Sequence, residues 1–163
     1  MSQKAFLSIL NYVLIVDNGD TPMNKEKLLF PSEEWVAKYW ELLNENAAYK
    51  DAASDWEGDF IFEVNADGDI IKEPMKLYMD LWHGDCREAR MAKDDDTAEF
   101  TYSGTYANWK KLFAGEIDPI KGLMSRKFSL GKGDNMGKIM RYTKAAAELV
   151  STAASVPTKF VDE

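Results

Sequence analysis

The sequence predicts an α+β fold in which helices cover a curved antiparallel sheet. Three observations carry this. Apolar residues recur at helical spacing from Val36 to Ala47; from Trp56 the period falls to two, and four strand-like stretches follow as far as Ser103; helical spacing returns after Gly104-Thr105. The main body is read as residues 31–156, with 1–30 an N-terminal extension and 157–163 a C-terminal tail packing loosely over the body. A chain of 163 residues buries roughly 70% of its unfolded surface, so it needs no disulfide or metal to fold.

The first helix opens at Pro31-Ser32-Glu33-Glu34, with Ser32 as cap and both glutamates near the positive end of the helix dipole. Val36, Trp40, Leu43 and Ala47 form one apolar stripe, and Trp35, Tyr39 and Leu42 widen it. The helix is expected to end between Asp51 and Asp55. Phe60, Phe62 and Val64 then alternate along a first strand, and Asn65 to Asp69 make a turn. Lys76–His83 is a second strand with Leu77, Met79 and Leu81 on one face and Tyr78 and Trp82 on the other. After Gly84-Asp85, Cys86–Met91 is a third strand. Thr97–Ser103 is a fourth, the four reading as a meander with one face covered. Tyr106, Trp109, Leu112 and Phe113 set the apolar side of the next helix, which Gly115 ends. Asp118-Pro119 starts a short helical turn, Phe128–Leu130 is a last strand, and one long helix runs from about Asn135 to Ala154. Its expected inward residues are Met136, Ile139, Met140, Thr143 and Ala147.

The composition narrows the function. A net charge of -8, from 20 basic and 28 acidic side chains, repels nucleic-acid phosphates and anionic surfaces, and no run of lysines marks a basic patch. Cys86 is the only cysteine, which rules out an intramolecular disulfide and fits a reducing, cytoplasmic setting. The apolar run from Phe6 to Val16 is about half the length of a membrane span. Only Lys4 precedes it and no small-x-small site follows, so it reads as an accessory helix or strand, or a floppy extension before Met23, and not as a signal peptide.

Catalytic and metal chemistry find little purchase. His83 is the only histidine, and strand geometry places Cys86 on the opposite face from it. One histidine and one cysteine cannot build a zinc site. A calcium loop centred on Gly68 would have Glu63 first and Pro74 twelfth, which fails the pattern. Gly131-Lys132-Gly133-Asp134-Asn135-Met136-Gly137 lacks the phosphate-loop order, and Asp134 opposes an anion. No cofactor and no enzymatic activity are expected. Eight methionines, eight phenylalanines, seven tyrosines and five tryptophans suit a soft apolar lining, although the same inventory also makes an ordinary core.

From Phe100 to Met140 the sequence resembles the sterol carrier protein type 2 domain family. The residues that carry the resemblance are Phe100-Thr101-Tyr102-Ser103-Gly104-Thr105-Tyr106, Trp109-Lys110, Leu112, Gly115-Glu116-Ile117-Asp118-Pro119-Ile120, Leu123-Met124, Lys127-Phe128 and Gly133-Asp134. The resemblance implies a five-stranded, mostly antiparallel sheet covered by helices around a hydrophobic tunnel. It implies binding and transfer of a fatty acid, acyl-CoA, phospholipid or sterol-like lipid, without a catalytic centre. The ligand-binding residues it implies are Phe100 and Tyr102 on the fourth strand, Trp109 and Phe113 on the tryptophan helix, Ile120, Leu123 and Met124 on the short helix, and Met136 and Met140 on the last. The chain departs from the family in carrying residues 1–22 and in having Ser125-Arg126 where a small residue is usual; Arg126 is a candidate partner for a ligand carboxylate. The expected partners are therefore a lipid, a membrane in transient contact and a second copy in a homodimer, and not nucleic acid. Two other readings remain open at this point: a protein–protein interaction module with a filled core, and a small acyl hydrolase.

Overall fold

The computed structural model describes residues 26–163, so the apolar run expected to be an accessory element lies outside the described residues. Ser32 caps the first long helix, its Oγ accepting from the Trp35 N–H at 3.1 Å. This helix, α1 (Glu33–Asn44), follows a short strand, β1 (Leu28–Phe30). It buries Trp35, Val36, Tyr39 and Leu43. The expected continuation to Asp51 is interrupted at Glu45-Asn46. Asn46 accepts from the Tyr49 N–H and starts a separate helix, α2 (Ala47–Ala52).

The strands that follow are β2 (Glu57–Val64), β3 (Met75–Trp82), β4 (Asp85–Met91) and β5 (Phe100–Gly104). After β5 come α3 (Tyr106–Phe113), α4 (Pro119–Met124) and β6 (Phe128–Leu130). The main sheet has five strands in the order β4-β3-β2-β5-β6, antiparallel except where β5 lies parallel to β2. The expected meander is thus corrected at its fourth strand, which pairs with β2 and not with β4. Two features account for this. Pairing with β2 sets Phe60 beside Phe100 and Phe62 beside Tyr102, which gathers four rings on one face. The outer edge of β4 is also occupied by α1. Asn44 accepts from the Cys86 N–H at 2.8 Å and donates to the Cys86 carbonyl at 3.0 Å, and Trp40 donates to the same carbonyl at 2.8 Å. Side chains thereby take the place of a neighbouring strand.

The single closing helix expected from Asn135 is two helices, α5 (Met136–Met140) and α6 (Thr143–Ser155). The break falls at Arg141-Tyr142, where Tyr142 adopts φ -121°, ψ 43°. Of the expected inward residues only Ile139 is buried. Met136, Met140, Thr143 and Ala147 are exposed, and α6 turns Ala145, Thr152 and Ala153 inward instead.

The expectation of a loose C-terminal tail is also corrected. Residues Thr158–Phe160 form β7, parallel to β1 in a small second sheet. The Tyr106 hydroxyl donates to the Phe30 carbonyl at 2.7 Å and accepts from the Val161 N–H at 2.8 Å; Trp35 Nε1 donates to Thr158 Oγ1 at 2.9 Å. Both ends of the described chain are therefore stitched to the helical layer.

Candidate functional site

The alternation of β2, β3 and β5 puts Phe60, Phe62, Leu77, Met79, Leu81 and Tyr102 on the sheet face that meets the helices. The helices answer with Trp35 and Tyr39 from α1, Trp109 and Phe113 from α3, Ile120 from α4, Ile139 from α5, and Leu149 and Val150 from α6. Between the two layers lies a cavity of about 90 Å³, measured over the positions open to the centre of a water molecule. That is room for roughly six to nine such positions. No charged side chain lines it.

Its walls are apolar because their polar atoms are spent elsewhere. Trp35 donates to Thr158, Tyr39 to the Leu149 carbonyl, Trp56 to the Gly58 carbonyl, Tyr102 to the Pro119 carbonyl and Trp109 to the Glu63 carbonyl, at distances of 2.8 to 3.0 Å. A water molecule inside would find few of the two to four partners that make such a position favourable. The Tyr49 hydroxyl is buried and has no hydrogen-bond partner among the described residues. Burial pushes the hydroxyls of Tyr39, Tyr49 and Tyr102 well above the usual tyrosine range, so these groups stay neutral.

The residues expected at the site divide into three groups. Tyr102, Trp109, Phe113 and Ile120 line the cavity. Phe100 and Leu123 are buried but outside its lining; the Phe100 ring packs on Trp56 and Phe60. Met124, Met136 and Met140 are 66%, 39% and 39% exposed. Phe30, Trp35 and Tyr39 also line the cavity, where the family resemblance does not point to them. The signal for Trp35 and Tyr39 was the broad apolar face of α1, and Phe30 carried none, because three residues of strand leave no readable period.

The other sequence features have local explanations. His83 sits in the turn after β3 with φ 50°, its Nε2 2.6 Å from Glu57 Oε2. The Cys86 thiol is buried, and burial pushes it up to about 12. Asp67 closes its own turn by accepting from the Asp69 and Ile71 N–H groups, which hold its carboxyl below the usual carboxylate range. The glycine loop before α5 holds an anion of its own, the Asp134 carboxylate, which accepts from Gly131 and Thr101. Arg126 is exposed in a left-handed conformation, φ 66°.

Comparison with known families gives a match to the SCP-2 sterol transfer family over residues 40–147. The chain belongs to this family. Its fold is similar to the crystal structure of a sterol carrier protein 2, with a TM-score of 0.71 and 34% identity, over 77% of this chain and 97% of the other. The solution structure of a conserved hypothetical protein from Thermus thermophilus, described as possibly a sterol carrier protein, gives a TM-score of 0.71 and 32% identity, over 78% and 90%. No curated protein matches the chain. Membership of the SCP-2 family, with its fold, supports lipid binding and transfer in general. Among the described residues no helix is long and apolar enough to cross a membrane.

Proposed function

We propose that the protein is a non-catalytic carrier that holds the apolar part of one lipid in the cavity between sheet and helices. The observation that carries this is the wall itself: an uncharged interior in which the indole N–H groups of Trp35, Trp56 and Trp109 and the hydroxyls of Tyr39 and Tyr102 are bonded to the protein's own carbonyls and to Thr158. An acyl or sterol-like body entering it would gain about 0.8 kcal/mol for each buried CH₂. A charged carboxylate or phosphate would find no counter-charge there and belongs at the surface. Fatty acid, acyl-CoA, phospholipid and sterol-like ligands all satisfy that division. Tyr102, Trp109, Phe113 and Ile120, with Phe30 and Trp35, are the proposed ligand contacts.

Native mass spectrometry of freshly purified protein tests the proposal. A retained mass of lipid size, lost on delipidation and restored by added fatty acid, is the expected result. Protein that stays ligand-free through purification and after addition of fatty acid, phospholipid and sterol would remove the carrier function.

A further inference from the structure

Four tyrosines line the cavity: Tyr39, Tyr49, Tyr102 and Tyr142. Three of them have a place for the hydroxyl. Tyr39 donates to the Leu149 carbonyl and Tyr102 to the Pro119 carbonyl, each at 2.8 Å, and the hydroxyl of the half-buried Tyr142 faces Asp55. Tyr49 differs. It is the buried residue of α2, 1% exposed, and its hydroxyl meets no hydrogen-bond partner among the described residues. The ionisable groups that act on it are occupied. Cys86 Sγ donates to the Glu88 carbonyl at 3.4 Å, Asp85 accepts from Lys50 at 2.7 Å, and Tyr39 is held by Leu149.

A buried hydroxyl without a partner destabilises a fold, and phenylalanine would fill the same space without that cost. The open space beside Tyr49 is the cavity, so an atom of the cargo can supply what the protein does not. Burial keeps the phenol protonated, which makes it a standing donor whose oxygen can also accept. No cation lines the wall, so the matching group is uncharged.

We propose that Tyr49 is a specificity residue, hydrogen-bonding a neutral oxygen, hydroxyl or carbonyl, carried on the buried body of the lipid. The favoured cargo is then an oxygenated chain and not a plain hydrocarbon one. Depth matters as well as presence. Tyr49 is fixed on α2, and an oxygen held against the apolar part of the wall would be buried without a partner. A site built around a hydrogen bond rejects the analogue that lacks the matching group, because its own polar atom is left unpaired. This selectivity rests on the carrier function and adds which lipids the carrier favours.

The test is displacement of a fluorescent fatty acid from delipidated protein by stearic acid and by the positional isomers of hydroxystearic acid. The isomer whose hydroxyl reaches Tyr49 is expected to bind roughly five-fold tighter than stearic acid, and isomers with the hydroxyl elsewhere more weakly than stearic acid. Y49F should reverse the order for the favoured isomer, whose hydroxyl would then be buried unpaired, while stearic acid binds as before. The ligand-free Y49F protein should have a urea midpoint equal to or above that of the native protein, because it loses a hydroxyl that bonds to nothing. A lower midpoint would show that the hydroxyl already has a partner, and would overturn the proposal. So would a series in which no isomer outbinds stearic acid, or a preference that survives in Y49F. Stearic acid bound with no isomer preferred removes the Tyr49 contact alone. Failure of stearic acid and of every isomer to displace the probe removes the carrier and the contact together.

Discussion

Ala146 is the residue where the cavity is most easily put to the test. It lies half-buried on α6 and its small side chain faces the apolar space. Ala146→Phe should fill part of that space and lower affinity for a fluorescent fatty acid at least ten-fold, at a stability change of at most about 1–3 kcal/mol. Undiminished binding by a folded Ala146→Phe protein would show that cargo sits elsewhere. Asp96 offers a second test, in pH. Its carboxylate accepts two hydrogen bonds from Arg90 and one from the Lys93 N–H, and the Arg90 guanidinium, with that N–H, holds it down at about 2. An unfolded aspartate titrates near 3.9. The contribution of Asp96 is therefore present above about pH 4 and lost as pH falls through about 2. Asp96→Asn should be less stable than the native protein at neutral pH, and the two denaturation curves should converge toward pH 2; a constant gap across that range would show that the ion pair is not its source. At this scale the sequence was legible where one residue has one local task. Ser32 caps α1 through its side-chain oxygen, and Asp134 blocks its glycine loop. It was least legible on α5, only five residues long, where the one-turn helix and the break at Arg141-Tyr142 decide that Ile139 faces in while Met136 and Met140 face out.

The two short strands β1 and β7 close the far side of the helical layer, and one hydroxyl joins both ends. Tyr106→Phe removes the bond to the Phe30 carbonyl and the bond from the Val161 N–H together. The expected cost is about 1–3 kcal/mol, read as a lower urea midpoint with unchanged slope. A midpoint equal to that of the native protein would mean that β7 is not fastened through Tyr106. Strand periodicity served well for β3, whose buried residues are Leu77, Met79 and Leu81 as the alternation requires. Pairing was another matter. Nothing local in Thr97–Ser103 says which strand it joins; that is settled by ring burial across β2 and by Asn44 and Trp40 occupying the β4 edge, contacts 40 and more residues apart.

For the whole molecule, binding and folding are linked. A lipid held only by the folded state stabilises it by RT ln(1 + [L]/Kd), about 2.7 kcal/mol when free ligand is a hundred-fold above Kd. The melting temperature should therefore climb steadily with added lipid, by several degrees for a chain of this size. A melting temperature indifferent to fatty acid, phospholipid and sterol alike would be inconsistent with a carrier. The same architecture fixes what kind of discrimination such a carrier can exercise. With the wall's three indoles and the Tyr39 and Tyr102 hydroxyls engaged by carbonyls and by Thr158, such an interior would, Tyr49 apart, sense girth and length far more than functional groups. Two cargoes differing by one methylene would be told apart by a factor of about four. Selection between headgroups would have to happen outside, before the tail is swallowed.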